Sequence, residues 1–408
     1  MALPITITGQ PWVAGHLPPY KSSGGSFYAA IHNASTNEIF IFKADSDDPE
    51  SGWTLQDFAN SASSDFDLIV VSSVQDDDVI HFAYQASLSS VVDAYYYATF
   101  NMATDLWVVV DELIEDPDNA PLEFWISIAV RSDGDVVVVY NGDTDQVMGG
   151  SKERVDANVR TSGPDTWGGP IAIWGSGNLD EHFGNPNCVL GTSDGTHIIW
   201  QRTTATIDPP TAWTTTVGAT LDSTDTLSTK DNVNQDSGGA LLGQQNGVSY
   251  DDGGTQRMVW NGTNGASDPF YWIATEVSGD LSFGSIVGNP GSDNIFENGE
   301  VSICSLAELN GDLHQVYSGG GVFVGDQDIW YSTSIDDGVT WDENEEIDAI
   351  TCNFISANIY TRGPNTVLAY VYEDGGDTKY NEKILIEGIP PTEILPILKR
   401  RINTLLRM

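Results

Sequence analysis

Basic residues are scarce in this chain. Its 408 residues include 16 lysines and arginines against 59 aspartates and glutamates, a formal charge of −43. A general nucleic-acid binder needs a basic footprint to displace counterions, and the body of the chain has none. The same deficit argues against adsorption to anionic membrane. Long apolar runs are missing as well, so no membrane insertion is expected. The segment Met1-Ala2-Leu3-Pro4-Ile5-Thr6-Ile7-Thr8-Gly9 lacks a basic start and a long apolar stretch, and is not expected to be a signal peptide. Cysteine is limited to Cys188, Cys304 and Cys352. Their odd number and wide spacing exclude a disulfide framework and predict reduced, buried small hydrophobes. No HExxH, Walker loop, nucleophile elbow or dinucleotide fingerprint occurs.

Hydrophobic residues make up 40% of the chain, enough for a sizeable core. The acidic excess relies on Asp and is spread throughout. Such a composition suits a halophilic protein, whose self-repulsion salt would screen, or a soluble protein of environmental origin.

A repeat sets the fold. A turn ending in Gly or Asp leads into a short apolar strand, usually with an aromatic near its end. Gly25 precedes Phe27-Tyr28-Ala29-Ala30-Ile31, and Asp78 precedes Val79-Ile80-His81-Phe82-Ala83-Tyr84. Gly134, Gly195, Gly253, Gly311 and Gly363 introduce the other copies, at intervals of 53, 56, 61, 58, 58 and 52 residues. A second marker, a polar turn ending in an aromatic, recurs at Trp53, Trp107, Trp167, Trp213, Phe283 and Trp341. Strand–turn–strand units with almost no helical periodicity describe an all-β propeller of about four strands per blade. Seven blades are expected, or six if one unit is an insertion. Residues 1–388 would form the propeller, with Ile5-Thr6-Ile7-Thr8 supplying the missing strand of the last unit. The tryptophans are expected to pack between sheets.

One turn carries a resemblance. Ser334-Ile335-Asp336-Asp337-Gly338-Val339-Thr340-Trp341 is similar to the Asp-box of the sialidase-like (BNR-repeat) β-propeller superfamily through Ser334, Asp336, Gly338, Thr340 and Trp341. Ser162-Gly163-Pro164-Asp165-Thr166-Trp167 and Ser51-Gly52-Trp53 echo it. The resemblance implies the propeller fold and a structural hairpin, not an activity. A sialidase of that superfamily would need three arginines to clamp a carboxylate. Outside the tail only Arg131, Arg154, Arg160, Arg202, Arg257 and Arg362 are present, and no Arg-Ile-Pro motif stands near the N-terminus. An acidic surface would also repel an anionic sugar, so sialidase activity is not expected.

No catalytic residue can be singled out among so many carboxylates. Candidate ligand loops contain Tyr95, Tyr96, Tyr97, Asp143, Asp145 and Phe323, where aromatics, amides and carboxylates would suit a glycan. No cofactor is expected. Asp76-Asp77-Asp78, Asp45/Asp47/Asp48 and Asn232/Asn234/Asp236 offer oxygen ligands for calcium, but none completes an EF-hand loop, and solvated turns are the simpler reading. His32, His81, His197 and His314 sit at comparable strand positions without metal-ligand spacing.

After Gly388 the character changes. Ile389-Pro390-Pro391-Thr392 reads as a stiff linker, and 393–408 as a basic amphipathic helix with Ile394, Leu398, Ile402 and Leu405 in one stripe beside Arg400 and Arg401. Residues 389–408 carry +3, leaving −46 on the rest. A short helix of this kind must dock on something. The composite expectation is a non-catalytic propeller displayed on a virion surface. It would be attached by its tail to other virion proteins or to itself as a homo-oligomer, and would meet host-surface glycan. The alternative is a secreted glycoside hydrolase or lectin acting on neutral polysaccharide; a purely structural role is a third reading.

Overall fold

The computed structural model describes residues 4–8, 15–33, 38–45, 48–58, 66–88, 92–115, 126–143, 153–175, 181–191, 194–204, 215–228, 231–233, 240–241, 248–252, 255–263, 269–277, 280–283, 301–320, 327–336, 340–342, 345–348, 352 and 355–386. These form seven small sheets that follow one another along the chain. Among the described residues there is no α-helix.

Each sheet is an antiparallel meander. The first contains Tyr20–Lys21, Phe27–Asn33, Glu38–Ala44 and Trp53–Phe58. The second contains Phe66–Asp76, Val79–Leu88, Val92–Asn101 and Leu106–Glu115, and Gly15–His16 lies parallel to its first strand. The third starts with Ile126–Val130 and Val136–Asp143, and the fourth with Glu181–Leu190 and Thr196–Thr204. In the fifth, Ala240–Leu241 and Val248–Asp252 both pair with Thr255–Thr263. The sixth runs from Val301–Leu309 to Glu345–Asp348. The seventh contains Ile355–Arg362, Asn365–Asp374 and Asp377–Ile386, and Ile5–Thr8 pairs antiparallel with the last of these, Ile5 opposite Tyr380.

Consecutive sheets are joined face to face by apolar clusters. One spans the seventh, first and second sheets, with Tyr380, Ile31 and Phe82 among its members. Others join second to third (Tyr97, Val138), third to fourth (Val139, Trp200), fifth to sixth (Val259, Leu313) and sixth to seventh (Val316, Tyr370). A sheet buried on both faces by its neighbours is the defining condition of a propeller. It also explains why second strands such as Val136-Val137-Val138-Val139 are continuous apolar runs instead of alternating ones. The tryptophan markers serve this packing. Trp53 meets Tyr380 at 5.2 Å, Trp107 meets Phe82 and Phe100 at 5.4 Å, and Trp167 meets Tyr97 at 5.5 Å, centroid to centroid. Trp341 packs against the cluster of Val259, Leu306 and Leu313. Trp213 lies outside the described residues.

The abundance of Asp has a local cause. Asp77, Asp105, Asp165, Asp194 and Asp225 occupy tight turns with φ between 48° and 62°. Apart from Gly, only Asn and Asp visit that region readily, because their short side chains bond to nearby backbone.

Candidate functional site

The two ends of the ring are built differently. First strands enter second strands through tight turns, as at 22–26, 76–79, 131–135 and 309–312, and these turns lie at one end, called here the turn end. Connections between second and third strands lie at the other, the loop end. Most of those connections, including 144–152, 205–214 and 321–326, are outside the described residues, and Asp145 and Phe323 with them.

At the turn end, polar groups are spent on holding neighbouring sheets together. Asp78 accepts bonds from the Ser23 amide (2.6 Å) and hydroxyl (2.5 Å). Asp194 accepts the same pair from Ser132, at 2.9 and 2.7 Å. These bonds hold both carboxyls below their usual range. Arg131 is buried and donates to Asp225 Oδ1 and the Asp222 carbonyl, both at 2.8 Å. Arg362 donates to Glu382 (2.6 Å), Asp48 (2.7 Å) and Glu50 (2.9 Å), joining the seventh sheet to the first. Arg257 bonds Thr275 Oγ1 at 2.8 Å. Arg131, Arg257 and Arg362, which come from different repeats, therefore have separate structural partners and do not form a carboxylate clamp. Asp78, Asp45 and Asp48 are likewise engaged by Ser23, Thr54 and Arg362. No group of three metal-ligating side chains occurs among the described residues, while Asp47, Asn234 and Asp236 lie outside them.

The histidines divide three to one. His81, His197 and His314 each stand near the start of a second strand and use Nδ1 to bond a third-strand hydroxyl: Tyr97 (2.7 Å), Thr220 (2.8 Å) and Tyr331 (2.8 Å). Burial, helped by the Arg160 charge, pushes the His81 pKa down to about 4. His32 stands at the opposite, loop-end terminus of its strand, so its grouping with the other three is corrected.

The Asp-box-like turn is tied by Asp336. Its carboxylate accepts from Ser334 Oγ (2.9 Å), the Thr340 amide (2.8 Å) and Thr340 Oγ1 (2.6 Å). Gly338 lies outside the described residues. Cys188 and Cys352 are buried thiols outside any disulfide, and burial pushes the Cys188 thiol up to about 12.

Toward the loop end, one to three residues before they finish, second strands carry an aromatic and then a polar residue: Tyr84-Gln85, Tyr140-Asn141, Trp200-Gln201, Trp260-Asn261, Tyr317-Ser318 and Tyr372-Glu373. Ile31-His32 is the aliphatic variant. The turn-relative spacing of seven residues recurs at His32, Gln85, Asn141 and Ser318, a signal the sequence reading missed because it registered only the aromatic.

The best-defined part lies between the second and third sheets. Tyr95, Tyr96 and Tyr97 were expected on a ligand loop, but they are buried within the strand Val92–Asn101. Successive side chains alternate faces and both faces are covered: Tyr96 stacks on Tyr84, while Tyr95 and Tyr97 join the cluster facing the third sheet. Tyr95 lies 4.5 Å from Tyr140, ring to ring, and donates to the Asn141 carbonyl at 2.6 Å. The Tyr140 hydroxyl donates to Glu115, and buried Asp156 is its cross-strand partner. Burial and then the Glu115 charge hold Tyr140 protonated, well above its ordinary range, with Asp156 adding to the effect. Gln85 stands opposite Tyr95 in register. It is fully buried, and neither its amide nitrogen nor its oxygen is hydrogen-bonded among the described residues. Asp143 pairs with Glu153 at the end of the adjoining strand.

No protein family and no curated protein matches the chain. Solved structures do. An ulvan lyase from a new family of polysaccharide lyase, bound to -[GlcA(1-4)Rha3S]-, aligns with a TM-score of 0.55 at 11% identity, covering 95% of this chain and 96% of its own. An α-L-arabinofuranosidase from Fusarium graminearum aligns with a TM-score of 0.48 at 9% identity, covering 94% and 97%. A Hadza microbial sialidase gives 0.45 at 13% identity, covering 95% and 88%. The likeness to the ulvan lyase and the sheet topology show that the chain has a β-propeller arrangement of small antiparallel sheets.

Proposed function

We propose that the chain recognises a neutral polysaccharide at the loop end of the ring, as a lectin or a glycoside hydrolase. The observation that carries this reading is the Gln85 amide, buried with its donors and acceptor unused. Leaving such a group unpaired costs about 1–3 kcal/mol, and a sugar hydroxyl, donor and acceptor at once, would satisfy it. Opposite it in register stands Tyr95, whose ring meets that of a protonated Tyr140 bonded to Glu115 and paired with Asp156, a set suited to stacking and hydroxyl bonding. The oligosaccharide named with the ulvan lyase carries a uronate and a sulfated rhamnose. A chain of charge −43 would repel such a ligand, which favours a neutral one here. Display on a virion draws on composition and on the segment after Gly388 alone, whereas the polysaccharide reading draws on the fold and on the strand ends.

Titration of the protein against neutral and acidic polysaccharides, at low and high salt, tests the reading, with reducing-end release followed in parallel. Saturable binding of a neutral polymer is expected, weakened about tenfold or more by Gln85→Leu. If the protein is a hydrolase, Glu115→Gln or Asp156→Asn abolishes release while binding persists. No binding to any neutral polymer in either salt would overturn the proposal.

A further inference from the structure

Among the described residues, an exposed apolar row lies on the outer strand Leu106–Glu115. Among the described residues this strand is the outer edge of the second sheet and pairs with Val92–Asn101 alone. Leu106 is 54% exposed, Val108 66%, Val110 44% and Leu113 48%. Trp107 and Val109 between them are half-buried against the cores. Solvent-facing edge strands are ordinarily blunted by Lys or Pro. Leu106-Trp107-Val108-Val109-Val110-Asp111-Glu112-Leu113-Ile114-Glu115 has neither. A row of four exposed aliphatics marks an interaction surface.

We propose that this edge receives the C-terminal segment, residues 393–408, of a second copy of the chain. Three features of the two surfaces match. The stripe of Ile394, Leu398 and Ile402 recurs every four residues, about 6 Å along a helix. Same-face side chains of a strand recur every two residues, about 6.7 Å. The lengths agree as well: sixteen helical residues span about 24 Å, and the seven steps from Leu106 to Leu113 span about 23 Å. Charge is complementary, because Lys399, Arg400, Arg401 and Arg407 stand against a chain that is otherwise −46. That same acidity argues against the alternative of two such edges pairing with each other. The described chain ends at Ile386 in the seventh sheet, and the whole first sheet intervenes before the second. The linker before the C-terminal segment includes Pro390-Pro391, whose stiffness favours docking on a neighbour over folding back in cis. The contact is heterologous and generates a ring or an open chain of copies.

Light scattering of the full chain across a concentration series tests this, with Val108→Lys on the edge and Leu398→Asp in the tail as separate variants. Both substitutions fall at exposed or terminal positions, and an unchanged thermal transition would show that the fold is intact. Concentration-dependent assembly is expected for the unaltered chain, with the apparent dissociation constant raised at least tenfold by either variant. Adding the double variant Val108→Lys/Leu398→Asp should produce no rescue. Mixing the two single variants should restore only one contact per pair and halt assembly at dimers. A monomer at all concentrations, or assembly indifferent to both substitutions, would overturn the proposal.

Discussion

At the turn end of the ring, carboxylates and hydroxyls clasp neighbouring sheets at Ser23–Asp78, Ser132–Asp194 and Arg131–Asp225; at the loop end the fully buried Gln85 amide has no hydrogen bond among the described residues. Ser23–Asp78 and Ser132–Asp194 are one clasp used twice, on turns more than a hundred residues apart in sequence. Gln85, by contrast, stands opposite Tyr95 in register with its amide unbonded among the described residues. Stability is concentrated where groups are satisfied, and capacity for recognition where they are not. Substitutions at the two ends should therefore move stability in opposite directions.

The largest effect is expected at Arg131. Its side chain is inaccessible and holds both Asp225 and the Asp222 carbonyl, so Arg131→Ala leaves a cavity and two acceptors unmatched. A loss of about 4 kcal/mol is expected, seen as a lower midpoint in urea at an unchanged slope. A loss under about 1 kcal/mol would mean that the turn-end contacts are incidental.

A second effect depends on pH. The His81 pKa is about 4 in the folded protein and near 6.5 in an unfolded chain. Between those values the unfolded chain binds more protons, so stability is full above about pH 6.5 and falls as pH drops toward 4. The slope from this residue is at most about 1.4 kcal/mol per pH unit, roughly 3 kcal/mol in total. His81→Gln, which can still bond Tyr97, should flatten that slope. Asp78 and Asp194 contribute in the same direction but only below the ordinary carboxylate range, because their pKa values are depressed. Unfolding curves at several pH values separate the two windows, and equal slopes in the variant and the unaltered protein would refute the assignment to His81.

Much of the frame was legible in the sequence because tight turns need positive φ. Gly25, Gly134, Gly311 and Gly363 all adopt it, and the residue before Asp78 does so as well. The turn markers therefore located the first and second strands of each unit. Loop-end chemistry was harder to read. Tyr95-Tyr96-Tyr97 looked like a loop because three aromatics in a row fit neither helical nor alternating periodicity. A strand covered on both faces has no such alternation to display. The partners of Tyr140 come from Glu115 and Asp156, on different strands of different sheets, and only register brings them together. The arginines were legible as too few for a clamp, but not as fastenings between sheets.

The smallest effect has the opposite sign and sharpens the contrast most. Gln85→Leu exchanges a buried, unpaired amide for a hydrocarbon of similar volume. Removing an unmet desolvation cost should raise stability by about 1 kcal/mol, although a core position has been altered. If Gln85 instead contributes to the packing of the second and third sheets as the clasps do at the other end, the same substitution destabilises. Chemical unfolding with and without a bound polysaccharide distinguishes these outcomes. A gain without ligand together with a smaller ligand-induced gain would place Gln85 in recognition. A loss under both conditions would mean that its hydrogen bonds are made within the fold, and the two ends of the ring would then be alike.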